Sequence, residues 1–167
     1  MRRHARQWAS ILCWLVLVAS AGEPVSAQVE VPRPPTRTVV FVCEHGAARS
    51  VLAAAYFNRL AAERHLDVRA IARGVTPQPE LSAATVVGLK KDGVPFPDEA
   101  PRRLTEQDLR RAIRVIAFCP LPGSVANKAR VGTFDVPAPG DGYDAARDAI
   151  LVHVKRILDE LAGGGRK

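Results

Sequence analysis

Apolar and polar positions fall along the chain in blocks of two kinds. Residues 38–42, Thr-Val-Val-Phe-Val, form an unbroken run of β-formers, which predicts a strand buried on both faces, as in a parallel sheet, rather than an edge strand with one wet face. Further strands are predicted over 68–73, 114–119 and, more briefly, 133–136. Between these runs the pattern becomes helical. Over 50–66, Leu52, Tyr56, Leu60 and several Ala recur at helical spacing, with Arg59, Glu63 and Arg64 on the remaining face. A second helix is predicted over 81–91, opened by Pro77-Gln78-Pro79-Glu80 and stopped by Gly93, and a short one over 105–112 with Thr105 as N-cap. A long helix over 141–161 carries Ile150, Val154, Ile157, Leu158 and Leu161. Strands alternating with helices in this order predict an α/β fold, a parallel sheet with helices on both faces.

The N-terminal segment does not fit this pattern. Arg2, Arg3 and Arg6 precede an uncharged stretch over 7–22 with an apolar centre, and Val25-Ser26-Ala27 follows with the small residues a signal peptidase accepts. Residues 1–27 are therefore expected to be a cleavable signal peptide, and the protein to be periplasmic or secreted from Gln28 onward. The apolar centre is shorter than the roughly 20 residues a spanning helix needs, so no stable membrane insertion is expected after cleavage. Residues 28–37, with Pro32, Pro34 and Pro35, read as an extended leader, 38–162 as one domain and 163–167 as a flexible tail.

Composition narrows the function. With 47% hydrophobic residues the chain can build one proper core. Removal of the signal leaves 21 basic and 16 acidic residues, a formal +5. Runs such as Arg102-Arg103 and Arg110-Arg111 are not interleaved with aromatics, so nucleic-acid binding is not expected. Cys13 leaves with the signal, and Cys43 with Cys119 make no disulfide framework, although an oxidising compartment would let them pair if the fold brings them together. His65 and His153 lack partners at metal-ligand spacing, so neither a metal nor another cofactor is expected.

The chemistry concentrates in residues 43–50, Cys43-Glu44-His45-Gly46-Ala47-Ala48-Arg49-Ser50, between a buried strand and a helix start. Unpaired N–H groups at a helix N-terminus and the helix dipole favour an anion. Gly46, beside the small Ala47 and Ala48, lets the backbone curl so that successive amides converge on one oxyanion, with Glu44 and His45 contributing their amides to the same curve. Arg49 returns opposite Cys43, where its guanidinium can hold two oxygens. The same dipoles and Arg49 favour a Cys43 thiolate, and Ser50 can donate to it while capping the helix. Attack by Cys43 on phosphorus would give a phosphocysteine.

This Cys-x5-Arg-Ser segment, after Val39-Val40-Phe41-Val42 and before an Ala-rich helix, resembles the phosphate loop of low-molecular-weight tyrosine phosphatases and of thioredoxin-coupled arsenate reductases. Comparable segments recur at Gly93 to Pro97, Arg103-Leu104-Thr105, Asp108-Leu109, Val115-Ile116 and Phe134-Asp135-Val136-Pro137. The resemblance implies a three-layer sandwich around a four-stranded parallel sheet and a phosphatase acting on phosphomonoesters, phosphotyrosine among them. It also implies an acid followed by Pro on a loop near the carboxyl end. Here that position reads Ala138-Pro139, which leaves Asp135 or Asp141 to protonate the leaving group. Gly46 stands where many relatives carry a bracing Asn, and Phe134 and Tyr143 are the aromatic candidates for a specificity pocket. Cys119 falls near the resolving thiol of the reductases. Arsenate reduction with a thiol reductant, and an oxyanion-binding or redox-responsive module with little turnover, stay open beside the phosphatase reading.

Overall fold

The computed structural model describes residues 37–126 and 131–164. The expected signal peptide, the leader up to residue 36 and the last three residues lie outside the described residues. Among the described residues five helices and four strands follow in order: β1 (Arg37–Cys43), α1 (Arg49–Glu63), β2 (Val68–Gly74), α2 (Ala83–Lys91), α3 (Glu106–Arg111), β3 (Ala112–Ala117), α4 (Gly123–Ala126), β4 (Val131–Thr133) and α5 (Tyr143–Gly163). The strands form one parallel sheet in the order β2-β1-β3-β4.

The continuous apolar run of β1 follows from its central place. Val39, Phe41 and Cys43 enter the main core, while Val40 and Val42 enter a smaller core on the other face with Val115. On the first face Leu52 and Phe57 of α1 meet Ile150, Val154 and Leu158 of α5 over the sheet, with Phe41 set edge-on to Phe57 at 5.8 Å between ring centres. On the second face the cover is thinner: Leu109 of α3 with Leu104 and Leu121. The expected α/β sandwich is thus present with unequal outer layers.

Of the boundaries that differ from the sequence reading, three have a local reason. Residues 77–80 do not begin α2; the segment from Val75 to Ser82 spends its amides on another loop, described below, and Ser82 is the N-cap. The strand expected over 133–136 is instead Val131–Thr133, and Asp135 lies beyond its end. β3 stops at Ala117, although the Phe118 amide still donates to the Val42 carbonyl at 2.8 Å, so Cys119 follows two residues past the strand. Gly93 does stop α2. It adopts φ +62° and, with Val94, returns two amides to Lys90 and Leu89, the paired bonds of a left-handed helix terminus.

Two polar devices hold the periphery. At the outer edge of the sheet the side-chain amide of Asn58 accepts from Ala70 N–H at 2.6 Å and donates to Ala70 C=O at 3.0 Å, so one residue of α1 occupies the strand position that would face solvent. Between α1, α2 and α5, the Tyr56 and Tyr143 hydroxyls both donate to Asp92 at 2.5 and 2.9 Å, with Arg147 at 3.4 Å. The Tyr143 ring lies so close on Gly88 that a Cβ there would sit 2.1 Å from it. Hydrogen bonds, first from Tyr56, hold Asp92 below the ordinary carboxylate range, and burial first, then the neighbouring hydroxyl and carboxylate, raises Tyr143.

Candidate active site

The sheet register brings the carboxyl end of β1 beside that of β2, pairing Cys43 with Gly74. From there the chain turns through residues 44–48 into α1. Four carbonyls along this turn accept from the segment after β2: Cys43 from Val75 at 3.1 Å, Glu44 from Thr76 at 2.8 Å, His45 from Gln78 at 3.3 Å and Ala47 from Ser82 at 3.0 Å. In a planar trans peptide the carbonyl and the following N–H point opposite ways. With these carbonyls turned outward to 75–82, the amides of Glu44, His45, Gly46 and Ala48 turn inward, which is a concave anion seat. The helix start adds to it: α1 has Ala48 as N-cap, no side-chain cap and no acidic residue in its first turn. By contrast α3 satisfies its own N-terminus with a reciprocal Thr105–Asp108 capping box.

Gly46 is held at φ +64°, and the reason for glycine goes beyond that angle. A Cβ on Gly46 would meet the Gly74 nitrogen at 2.7 Å, and one on Gly74 would meet the Gly46 nitrogen at 2.8 Å. Two bare backbones therefore touch, and this contact takes the place of the side-chain brace that the resemblance led us to look for. A cavity of about 350 Å³ is lined by Gly46 together with Asn58, Ala70, Ala72 and Pro101.

The Cys43 sulfur lies 3.1 Å from the Ser50 hydroxyl, and both residues are buried. Ser50 is the second residue of α1 and does not cap it; its hydroxyl is instead hydrogen-bonded to the Cys43 sulfur. Arg49 opens the helix, half-buried, and its Nη1 donates to the Val136 carbonyl at 3.5 Å, which ties the guanidinium to the segment after β4. His45 is exposed and its Nδ1 lies 3.3 Å from the Thr76 carbonyl, directed away from the seat; Glu44 is half-buried at the rim.

Asp135 and Asp141 are both exposed on the 134–142 segment. The Asp141 amide donates to Ala138 C=O at 3.0 Å across Pro139-Gly140, a turn that folds Asp141 back toward Ala138. The two aromatic candidates stand elsewhere. Phe134 stacks on His153 at 3.9 Å, and Tyr143 belongs to the Asp92 network, so both are committed to packing α5.

Cys119 is buried, and Cys43 and Cys119 are both free thiols. Burial, followed by negative charge at Cys43 and Glu44, pushes the Cys119 thiol up to about 11, with Arg49 opposing. Among the described residues no group of His, Cys, Asp and Glu could hold a metal ion, and no helix is long and apolar enough to cross a membrane.

Sequence reading placed Cys43, Arg49 and Ser50 on one loop and helix start, where the structure has them, and assigned nothing to the contact at Gly74 or to the bridge beside it at Arg103. Arg103 pairs with Gly74 as a one-residue parallel extension of the sheet, with Gly74 N–H donating to Arg102 C=O and Leu104 N–H to Gly74 C=O, both at 2.9 Å. A glycine closing a strand is a signal for close backbone approach and pointed to the first of these.

A profile of the low molecular weight phosphotyrosine protein phosphatase family matches residues 38–162, and the chain belongs to this family. It is a protein-tyrosine-phosphatase-like hydrolase by that membership. Among solved structures it is similar to YfkJ from Bacillus subtilis, with a TM-score of 0.70 at 23% identity over 79% of this chain and 98% of that one. It is also similar to a low molecular weight protein tyrosine phosphatase from Bacillus subtilis (TM-score 0.65, 22% identity, 77% of this chain and 99% of that one). The thioredoxin-dependent arsenate reductase of Corynebacterium glutamicum follows with a TM-score of 0.62 at 20% identity, over 80% of this chain and 65% of that one. No match was found among curated protein sequences.

Proposed function

We propose that the chain is an exported cysteine-dependent phosphatase that hydrolyses phosphomonoesters, protein phosphotyrosine among them, through a phosphocysteine. The observation that carries this reading is the 43–50 loop: four carbonyls turned outward, amides turned inward, and the Cys43 sulfur 3.1 Å from Ser50 Oγ at the seat's floor. In the first step the Cys43 thiolate attacks phosphorus, the S–P bond forms and the ester P–O bond breaks. Inward amides and Arg49 hold the equatorial oxygens, and a carboxylic acid of the 134–142 segment, Asp135 or Asp141, gives its proton to the departing oxygen. In the second step water attacks phosphorus, the carboxylate takes back a proton, and the S–P bond breaks to release inorganic phosphate and the thiolate, which Ser50 stabilises as it leaves.

The test is hydrolysis of p-nitrophenyl phosphate by the reduced protein beside a Cys43→Ser variant. Turnover lost in the variant is the expected result; turnover equal in both, or absent in both, overturns the reading. Export is supported by Arg2, Arg3, Arg6, the apolar stretch and Ala27. It predicts that protein recovered from the periplasm of a Gram-negative host begins at Gln28, and recovery of uncleaved protein in the cytosol alone overturns it.

One observation favours a second reading, arsenate reduction: Phe118 N–H donates to Val42 C=O, which carries the buried, free Cys119 past the end of the sheet alongside Cys43. There the Cys43 thiolate would bond arsenic as an arsenate oxygen leaves as water, and Cys119, giving up its proton, would attack the Cys43 sulfur; the S–As bond breaks with its electron pair staying on arsenic, which leaves as arsenic(III), while the two thiols become a disulfide that an external dithiol must reduce. Arsenate-dependent loss of both thiols identifies it, and unchanged thiols exclude it.

A further inference from the structure

We propose that Asp92 is a positioning residue for the proton-transfer step: through Tyr143 it fixes the carboxyl end of the 134–142 segment and so sets where that segment holds its acid. The inference rests on the phosphatase reading and deepens it. At its amino end the segment is tied to the sheet and to the seat, since Phe134 N–H donates to Ala117 C=O at 3.0 Å and Arg49 Nη1 to Val136 C=O at 3.5 Å. Further on its own backbone gives less support. The bond from Asp141 N–H to Ala138 C=O, at 3.0 Å, closes a turn on itself rather than onto the rest of the molecule. Glycine stands on both sides of Asp141, at 140 and 142, and lends the chain little stiffness there. Helix α5, which starts at Tyr143, has Gly142 as N-cap and no side-chain cap.

Tyr143 therefore anchors this end, and α2 holds Tyr143 twice. Its ring lies against Gly88, where a Cβ would sit 2.1 Å away, and its hydroxyl donates to Asp92 at 2.9 Å. Gly88 and Asp92, the residue that caps α2, are four positions apart, so one face of the helix offers both the slot and the acceptor. Asp92 Oδ2 also accepts from Tyr56 at 2.5 Å and from Arg147 at 3.4 Å, which brings donors from α1 and α5 onto one carboxylate oxygen. The side chains of Asp92 and Arg147 are only 18% and 23% exposed. Away from water, a polar cluster satisfied in this way holds one arrangement of its members. The start of α5, and the acid-bearing turn that leads into it, are thus fixed by an acceptor on another helix.

The experiment compares kcat/KM for phenyl phosphate, whose leaving oxygen needs a proton, with that for p-nitrophenyl phosphate, whose leaving oxygen does not, in the full chain with Asp92→Ala, Tyr143→Phe or Tyr56→Phe. Asp92→Ala is expected to lose about 10- to 100-fold on phenyl phosphate, the cost of a group displaced by on the order of 1 Å, and less than about threefold on p-nitrophenyl phosphate. Tyr143→Phe keeps the ring against Gly88 and should show a smaller loss with the same bias; it decides alone if Asp92→Ala does not fold. Tyr56→Phe removes a donor but leaves Tyr143 bound, and should treat the two esters alike. Joined to whichever of Asp135→Asn and Asp141→Asn removes the acid, Asp92→Ala should add no further bias. Equal losses on both esters in Asp92→Ala and Tyr143→Phe, or no loss, mark a network that serves stability alone and overturn the proposal. A bias in Tyr56→Phe, or a further bias in the double variant, overturns it as well. So does the absence of bias in both acid variants, which shows that the segment holds no acid. Failure of the parent reading shows separately, as absent hydrolysis of p-nitrophenyl phosphate by the unsubstituted chain.

Discussion

Replacing Gly74 by Ala tests whether the backbone contact behind the phosphate loop sets its shape. Gly74 does not have positive φ, so alanine brings no backbone strain and the perturbation is one methyl group. Its Cβ would sit 2.8 Å from Gly46 N, 2.9 Å from His45 C and 3.1 Å from Gly46 Cα, all main-chain atoms that cannot swing aside. Ordinary contact begins near 3.4 Å, so the loop must retreat by at least about 0.6 Å, and the inward amides move with it. Misplacement on the order of 1 Å costs about 10²-fold in rate when groups must meet a transition state, so kcat should fall about 10- to 100-fold. Stability should fall by only about 1–3 kcal/mol, the usual cost of overpacking, partly offset by the stiffer unfolded chain. The assay pairs p-nitrophenyl phosphate hydrolysis and inhibition by vanadate with thermal melting, and Gly123→Ala, whose Cβ meets nothing within 4 Å, is the control. Wild-type kcat and vanadate affinity in a folded Gly74→Ala protein would refute the argument that this contact positions the seat.

Two further outcomes follow from the same geometry. Of Asp135→Asn and Asp141→Asn, the one that removes the acid should cost about 10²–10⁴ in kcat/KM on phenyl phosphate and much less on p-nitrophenyl phosphate, whose leaving group needs no proton; small, equal effects of both would show that neither carboxylate serves. Cys119 supplies a pH dependence: its thiol is pushed up to about 11 in the fold, above its ordinary 9.0, so the unfolded chain releases this proton first. The stabilisation is fully present below pH 9 and is lost as pH rises through about 11, on the order of 2 kcal/mol. Urea midpoints should therefore fall from pH 8.5 to 10.5 more steeply in the wild type than in Cys119→Ala, and parallel slopes would contradict the burial argument.

What could be read beforehand divides by how local its cause is. β1 was legible because burial on two faces leaves a mark in five consecutive residues, and Cys43, Arg49 and Ser50 because one loop and one helix start place them within eight positions of each other. The segment 75–82 was misread because its amides are used by a loop thirty residues earlier, which no local propensity records. The contact at Gly74 and its bridge to Arg103 depend on which strands lie side by side, so they appear only once the register is known. Tyr143 looked available to a substrate; its ring is instead taken by Gly88 and its hydroxyl by Asp92. Asp135 stayed ambiguous for a related reason, since the weak Val-Gly-Thr strand that ends before it has little pattern of its own.

The amide of Asn58 has a consequence for the order in which this chain assembles. Because the group that pairs with Ala70 at the sheet's outer edge belongs to a helix, that stretch of edge stays adhesive after β1 and β2 have paired and until α1 docks. During that interval any second chain offering a strand competes with one side chain for the Ala70 N–H and C=O. A slow-docking α1 would thus be recorded as aggregation during refolding at high protein concentration.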